Sequence, residues 1–242
     1  MGKIYVIGFG PGKREDMTFK AAKALEDSDV IIGYTVYVDL LRDEYQSKEL
    51  LTTGMRQEKE RCSLCISKAK EGKTVSLVCS GDAGVYGMAS LLIEMAEESD
   101  CEIEVVPGVT AALSGSALLG APLSGDFCVV SLSDNLTPWE MIERRLRAAA
   151  LGDFPMAIYN PCSKSRPDHL KKALSILGEY MDENRPCGIA RNIGREDEKI
   201  LVCTLKELEK LDVDMFTTVF IGNSDTTIIN GRLVTQRGYT RI

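Results

Sequence analysis

The chain has 242 residues, 44% of them hydrophobic and 27% charged, with a formal net charge of −7. This is a globular composition, long enough for one large domain or two of ordinary size. Its acidity excludes a general nucleic-acid surface, which would need a basic face. No apolar run is long enough to span a bilayer and no charged-then-apolar leader stands at the start, so the expectation is a cytoplasmic protein with no membrane partner.

Lys3-Ile4-Tyr5-Val6-Ile7-Gly8-Phe9-Gly10-Pro11-Gly12 opens the chain as an apolar strand that stops in a glycine loop stiffened by Pro11. The dinucleotide fingerprint G-x-G-x-x-G fails here, because Lys13 stands where its third glycine belongs. The phosphate loop fails too, because Gly8 to Gly12 is one residue short and Arg14 follows Lys13. A tight turn with no ligand stays open for this loop taken alone.

Thr18 can cap a helix through about Glu26, and Ser28 to Ile32 reads as a second strand. Helices are expected around Val36 to Tyr45 and over Gln57 to Glu71, the latter stopped by Gly72. Its Lys59, Arg61, Lys68 and Lys70 read as a solvated face. Thr74 to Cys79 is a continuous β-branched and apolar run, the pattern of a strand buried on both faces. It ends in Ser80-Gly81-Asp82-Ala83-Gly84-Val85-Tyr86-Gly87, with a helix expected to about Glu98. Ligands of open α/β sheets sit at that strand end. Asp82 can cap the helix or accept from a ligand, and the sequence leaves both open. Glu102 to Val106 is the next strand and Pro107-Gly108-Val109-Thr110 a third such loop. It leads into a small-residue helix, Ala111 to Leu119, that is either closely packed or lines a cleft.

Gly120 to Gly125 reads as a hinge, giving an N-terminal α/β domain over 1–122 and a C-terminal mixed-sheet α/β domain over 123–242. The second half offers strands at Phe127 to Leu132, Met156 to Tyr159, Cys187 to Ala190, Ile200 to Thr204 and Thr217 to Ile221. Helices are expected after Pro138, from Lys164 to about Tyr180, and over Leu205 to Leu211. A hairpin around Gly231 closes the chain.

The eight cysteines are scattered, and several fall inside apolar strands where cysteine acts as a small core residue. Only Cys62-Ser63-Leu64-Cys65 has ligand-like spacing. One such pair and a single histidine cannot complete a tetrahedral zinc site from soft ligands, so no metal is expected.

Gly8-Phe9-Gly10-Pro11-Gly12, Ser80-Gly81-Asp82, Pro107-Gly108-Val109-Thr110 and Ile221-Gly222-Asn223 stand in the order and spacing of the tetrapyrrole methylases, and the resemblance covers essentially the whole chain. Within that family Ile32-Gly33-Tyr34-Thr35-Val36-Tyr37, the run from Tyr159 to Arg166, and Gly222-Asn223-Ser224 resemble the branch that methylates a precorrin-3-type ring at C-17 in cobalamin biosynthesis. The resemblance implies two α/β domains with a cofactor cleft between them, S-adenosylmethionine as cofactor, and a homodimer acting on an anionic tetrapyrrole. Cofactor contacts are implied at Gly10, Pro11, Gly81, Asp82, Val85, Thr110 and Ala111. Asn160, Asn192, Thr217 and Thr218 are implied on the adenine side. Two departures stand out: the family's frequent Gly-Asp-Pro is Gly81-Asp82-Ala83, and Pro167-Asp168-His169-Leu170 lacks an aromatic residue near 168.

Methyl transfer from a sulfonium is a direct displacement, so positioning suffices and no nucleophile triad is needed. The tetrapyrrole's carboxylates call for basic clamps. Lys164, Arg166, Arg191 and Arg195 lie on loops at strand ends, where each is equally readable as surface charge. Ring contraction after methylation would need a proton donor or acceptor, and none is identified in the sequence. The alternatives are a tetrapyrrole methylase acting at another ring carbon and a non-catalytic tetrapyrrole-binding module.

Overall fold

The computed structural model describes residues 2–239. They group into two compact units, one up to Ala111 and one from Ala112 on. In the first, β1 (Lys3–Gly8), α1 (Phe19–Glu26), β2 (Val30–Tyr34), α2 (Thr35–Leu41), β3 (Glu49–Thr53), α3 (Glu58–Lys70), β4 (Thr74–Cys79), α4 (Ala89–Met95) and β5 (Glu102–Val106) follow one another. The sheet is all parallel in the order β3-β2-β4-β1-β5. Helices cover both faces, so β2 and β4 are buried almost throughout and must be apolar on both sides. Two core clusters result, one around Ile4, Val6, Leu77 and Cys65, the other around Ile7, Phe9, Leu25 and Ile31.

The order has a consequence for the loops. β4, β1 and β5 are neighbours although they lie far apart in sequence, so the three glycine loops leave one sheet edge side by side. Thr18 caps α1 as expected, its hydroxyl accepting from the Ala21 amide at 3.1 Å. β3 was not expected. It is an edge strand with a mixed, half-exposed pattern, and such a strand carries little apolar signal.

The second unit holds α5 (Ala111–Leu119), β6 (Gly120–Ala121), β7 (Cys128–Ser131), α6 (Trp139–Leu151), β8 (Met156–Tyr159), α7 (His169–Leu177), β9 (Pro186–Arg191), β10 (Lys199–Thr204), α8 (Leu205–Leu208), β11 (Thr217–Ile221), β12 (Thr226–Ile229) and β13 (Arg232–Thr235). Its main sheet runs β10-β9-β11-β8-β7 and is mixed, as expected of this half.

Three expectations change. The division falls after Ala111 rather than after 122, because α5 packs into the second unit: a Cβ at Gly115 would stand 2.8 Å from the Phe220 ring. The stretch read as a hinge contains β6, which pairs in parallel with β13 through Gly120 and Ala121. The helix expected from Lys164 begins at His169, since the residue before Pro167 is pushed out of the helical region. Among the described residues no helix is long and apolar enough to cross a membrane.

Candidate functional site

The three loops of the first unit are knitted together by backbone. Gly10 and Gly81 exchange hydrogen bonds, Gly10 N donating to Gly81 O at 3.0 Å and Gly81 N to Gly10 O at 2.8 Å. Gly81 does this in the left-handed region, at φ +72°, where a side chain would be strained. Gly108 of the third loop lies against the carbonyl oxygens of Gly81 and Gly8, well inside the distance a Cβ could tolerate. Thr18 adds a link from the first loop's side, its hydroxyl donating to Pro107 O at 3.2 Å.

Asp82 closes the assembly. Oδ1 accepts from the amides of Gly84 at 2.8 Å and Val85 at 3.0 Å, and Oδ2 accepts from the amide of Gly108 at 3.0 Å. It does not cap α4, which starts only at Ala89. Its carboxylate instead ties the second loop to the third through three charge-assisted bonds. Beyond it Val85 and Tyr86 are exposed, and Tyr86 holds φ +54°, a conformation uncommon for a bulky residue. Gly10, Pro11, Gly81, Asp82, Val85 and Thr110 are thus gathered at one sheet edge, with Ala111 opening the following helix.

In the second unit the antiparallel pairing of β11 with β8 and β9 brings the end of β8, the end of β9 and the start of β11 to one edge. Asn160 and Asn192 follow β8 and β9 there, both left-handed at φ +53° and +51°. Asparagine is one of the few side chains that enters this region readily. Asn160 Nδ2 donates to Ser131 Oγ at 3.0 Å, and Asn192 N donates to Phe216 O at 3.2 Å. Thr217 and Thr218 are buried beside them, Thr217 Oγ1 donating to Asp214 Oδ1 at 3.0 Å. Asn160, Asn192, Thr217 and Thr218 therefore share one strand edge.

The four basic residues have separate surroundings. Arg166 is almost enclosed, bonded to Ser133 and to Ser163 Oγ at 3.1 Å, with Asp134 at 3.9 Å. It braces a turn in which Ser163 and Arg166 bond each other's backbone, with Lys164 exposed at the tip. Asp134 also meets the chain's single histidine, His169 Nε2, at 3.0 Å. That bond, with Arg166 adding to it, holds the Asp134 carboxyl below its usual range. Arg191 pairs with Asp214 at 2.6 Å, and the Arg195 guanidinium lies 5.2 Å from the Phe216 ring centre.

Cys62 and Cys65 are fully buried in the first unit's core. Burial pushes the Cys62 thiol up to about 11 and that of Cys65 higher still, so neither is a thiolate at neutral pH. Arg61 departs most from expectation: it is only 4% exposed, not part of a solvated face. The signal was present, since Arg61, Cys65 and Ala69 stand at i, i+4 and i+8 on one stripe of α3.

Comparison with known proteins fits this arrangement. A relative from Archaeoglobus fulgidus, the cobalamin biosynthesis protein CbiHC, is 45% identical over 99% of this chain but 53% of its own length. The chain thus spans about half of that relative. A probable cobalt-factor III C(17)-methyltransferase of Salmonella typhimurium is 41% identical over 98% of this chain and 99% of its own. The crystal structure of the methyltransferase CobJ superposes with a TM-score of 0.91 at 39% identity, covering 98% of this chain and 100% of that one. The family model of the tetrapyrrole (corrin/porphyrin) methylases matches residues 3–209, and the chain belongs to that family.

Proposed function

We propose that the chain transfers a methyl group from S-adenosylmethionine to C-17 of a precorrin-3-type tetrapyrrole in cobalamin biosynthesis, with ring contraction coupled to it. The observation that carries this reading is the end-to-end likeness to a Salmonella relative named as a probable cobalt-factor III C(17)-methyltransferase. That name makes the cobalt-containing ring the first substrate to test.

The residues present fit such a cofactor. The loop edge of the first unit is built of backbone and glycine, and its one carboxylate is already satisfied by amides. That is a cradle for positioning a ligand, without a group that would itself attack the methyl. When bound, S-adenosylmethionine supplies an electrophilic methyl on a cationic sulfur. Gly10, Pro11, Gly81, Asp82, Val85, Thr110 and Ala111 would hold the methionine side, and Asn160, Asn192, Thr217 and Thr218 the adenine side. The chain's task is then orientation: a fixed loop edge that keeps the methyl in line with the accepting ring carbon and excludes water. Lys164, Arg166, Arg191 and Arg195 are proposed for the ring's carboxylates, Lys164 with its side chain exposed and the others braced by neighbours. The family resemblance further supports a homodimer, which light scattering of the purified protein checks.

Incubation with labelled S-adenosylmethionine and with metal-free and cobalt-containing precorrin-3-type rings tests the reading. Label at C-17 supports it. Label on another ring carbon establishes the sister specificity, and binding of the ring without label establishes a binding module.

A further inference from the structure

The guanidinium of Arg61 is buried at 4% exposure, and among the described residues no carboxylate lies within ion-pair distance of it. Its partners are all neutral. Nε donates to Thr53 Oγ1 at 2.8 Å, Nη2 to Gly54 O at 3.0 Å, and Nη1 points at Met88 Sδ at 3.8 Å. A buried cation without a counter-charge costs stability, so a role in folding alone is a poor reason to keep one.

The three partners lie on two different elements. Thr53 ends β3 and Gly54 follows it, while Met88 closes the second glycine loop where that loop enters α4. The loop is held from its other side by Asp82, which takes the amides of Gly84 and Val85. Between these two anchors sit Val85, Tyr86 in its left-handed conformation, and Gly87. A planar fork of fixed geometry can meet acceptors in three directions at once, which a single ammonium cannot.

We propose that Arg61 is a positioning residue that fixes the far end of the 84–88 loop for cofactor binding, acting through Met88 rather than by touching the ligand. The assignment rests on reading that loop as part of the S-adenosylmethionine site. It separates stability from affinity: removing the charge relieves a buried cation, which offsets the acceptors left at Thr53 and Gly54, while it loosens the loop.

The test compares wild type with Arg61→Met, which keeps the length and the apolar stem, and with Arg61→Lys, which keeps the charge but not the fork. S-adenosylhomocysteine affinity is read by calorimetry, stability by thermal melting, and loop order by amide hydrogen exchange over 84–88. Arg61→Met is expected to weaken S-adenosylhomocysteine about tenfold, because binding must then order the loosened loop. Its melting midpoint should stay within about 2 °C of wild type, and exchange should quicken over 84–88. Arg61→Lys should also bind more weakly, and it carries the test if the methionine variant fails to fold. Unchanged affinity in both variants would overturn the proposal, as would a loss of affinity matched by a collapse in melting. If wild type itself does not bind S-adenosylhomocysteine, the cofactor reading fails and the proposal fails with it.

Discussion

The two units build their loop edges from different residues. In the first, a parallel sheet aims three strand ends the same way, and glycine lets their loops interlock backbone to backbone. In the second, a mixed sheet brings two strand ends to the edge where β11 starts, and asparagine turns the chain at both. Glycine is required where no Cβ fits. Asparagine suffices where only the backbone angle is unusual, and it adds a side chain that can bond, as Asn160 does with Ser131. The first edge is therefore limited by space at Gly8 and Gly108 as well as by conformation at Gly81, the second by conformation alone, and substitutions should separate the two.

The largest effect is expected at Gly108. An alanine there would press its Cβ against two backbone carbonyls that cannot move independently, so Gly108→Ala should cost about 3 kcal/mol or more. Chemical denaturation checks this, and a cost below about 1 kcal/mol would show that the loops can part. Asp82→Ala comes next. It strips three amides of their acceptor, one of them at the join with the third loop, and should cost about 1.5–3 kcal/mol while weakening S-adenosylhomocysteine. Full affinity in a folded Asp82→Ala protein would confine Asp82 to loop structure.

The second edge should respond in a different order. Asn192→Ala is expected to cost about 1 kcal/mol, because alanine lacks the short polar side chain that eases asparagine into positive φ, and Asn192→Gly close to nothing. If the glycine variant falls as far as the alanine one, the Asn192 side chain itself matters and the contrast between the edges narrows. The smallest effect on activity is expected from replacing Cys62 and Cys65 together by alanine. Both lie in the core, so alanine is a cleaner replacement than serine, whose hydroxyl would be buried without a partner. Methyl transfer should stay near wild type, with stability falling on the order of 1 kcal/mol per site. Loss of turnover in a folded double variant would reopen a role for the thiols.

The sequence by itself determined the elements whose environment is uniform. β4 is read to the residue because a strand buried in a parallel sheet is a nearly continuous apolar run, and Thr18 announces α1 because capping is local. The glycine loops were legible as loops for the same reason, as were Asn160 and Asn192 as strand ends. Their order and spacing carried the family. What the tertiary structure decided was which of these meet. Strand order alone puts the loops of β1, β4 and β5 side by side, and that proximity turns Asp82 from a possible helix cap into a tie between loops. Pairing with β13 makes a strand of Gly120 and Ala121 where the sequence read a hinge, and the fit of Gly115 against Phe220 assigns α5 to the second unit. Arg61 was read by its charge, whereas its burial follows from the face of α3 that packs on the sheet. Local signals act over a few residues, and a pairing partner or a buried face is chosen by residues tens of positions away.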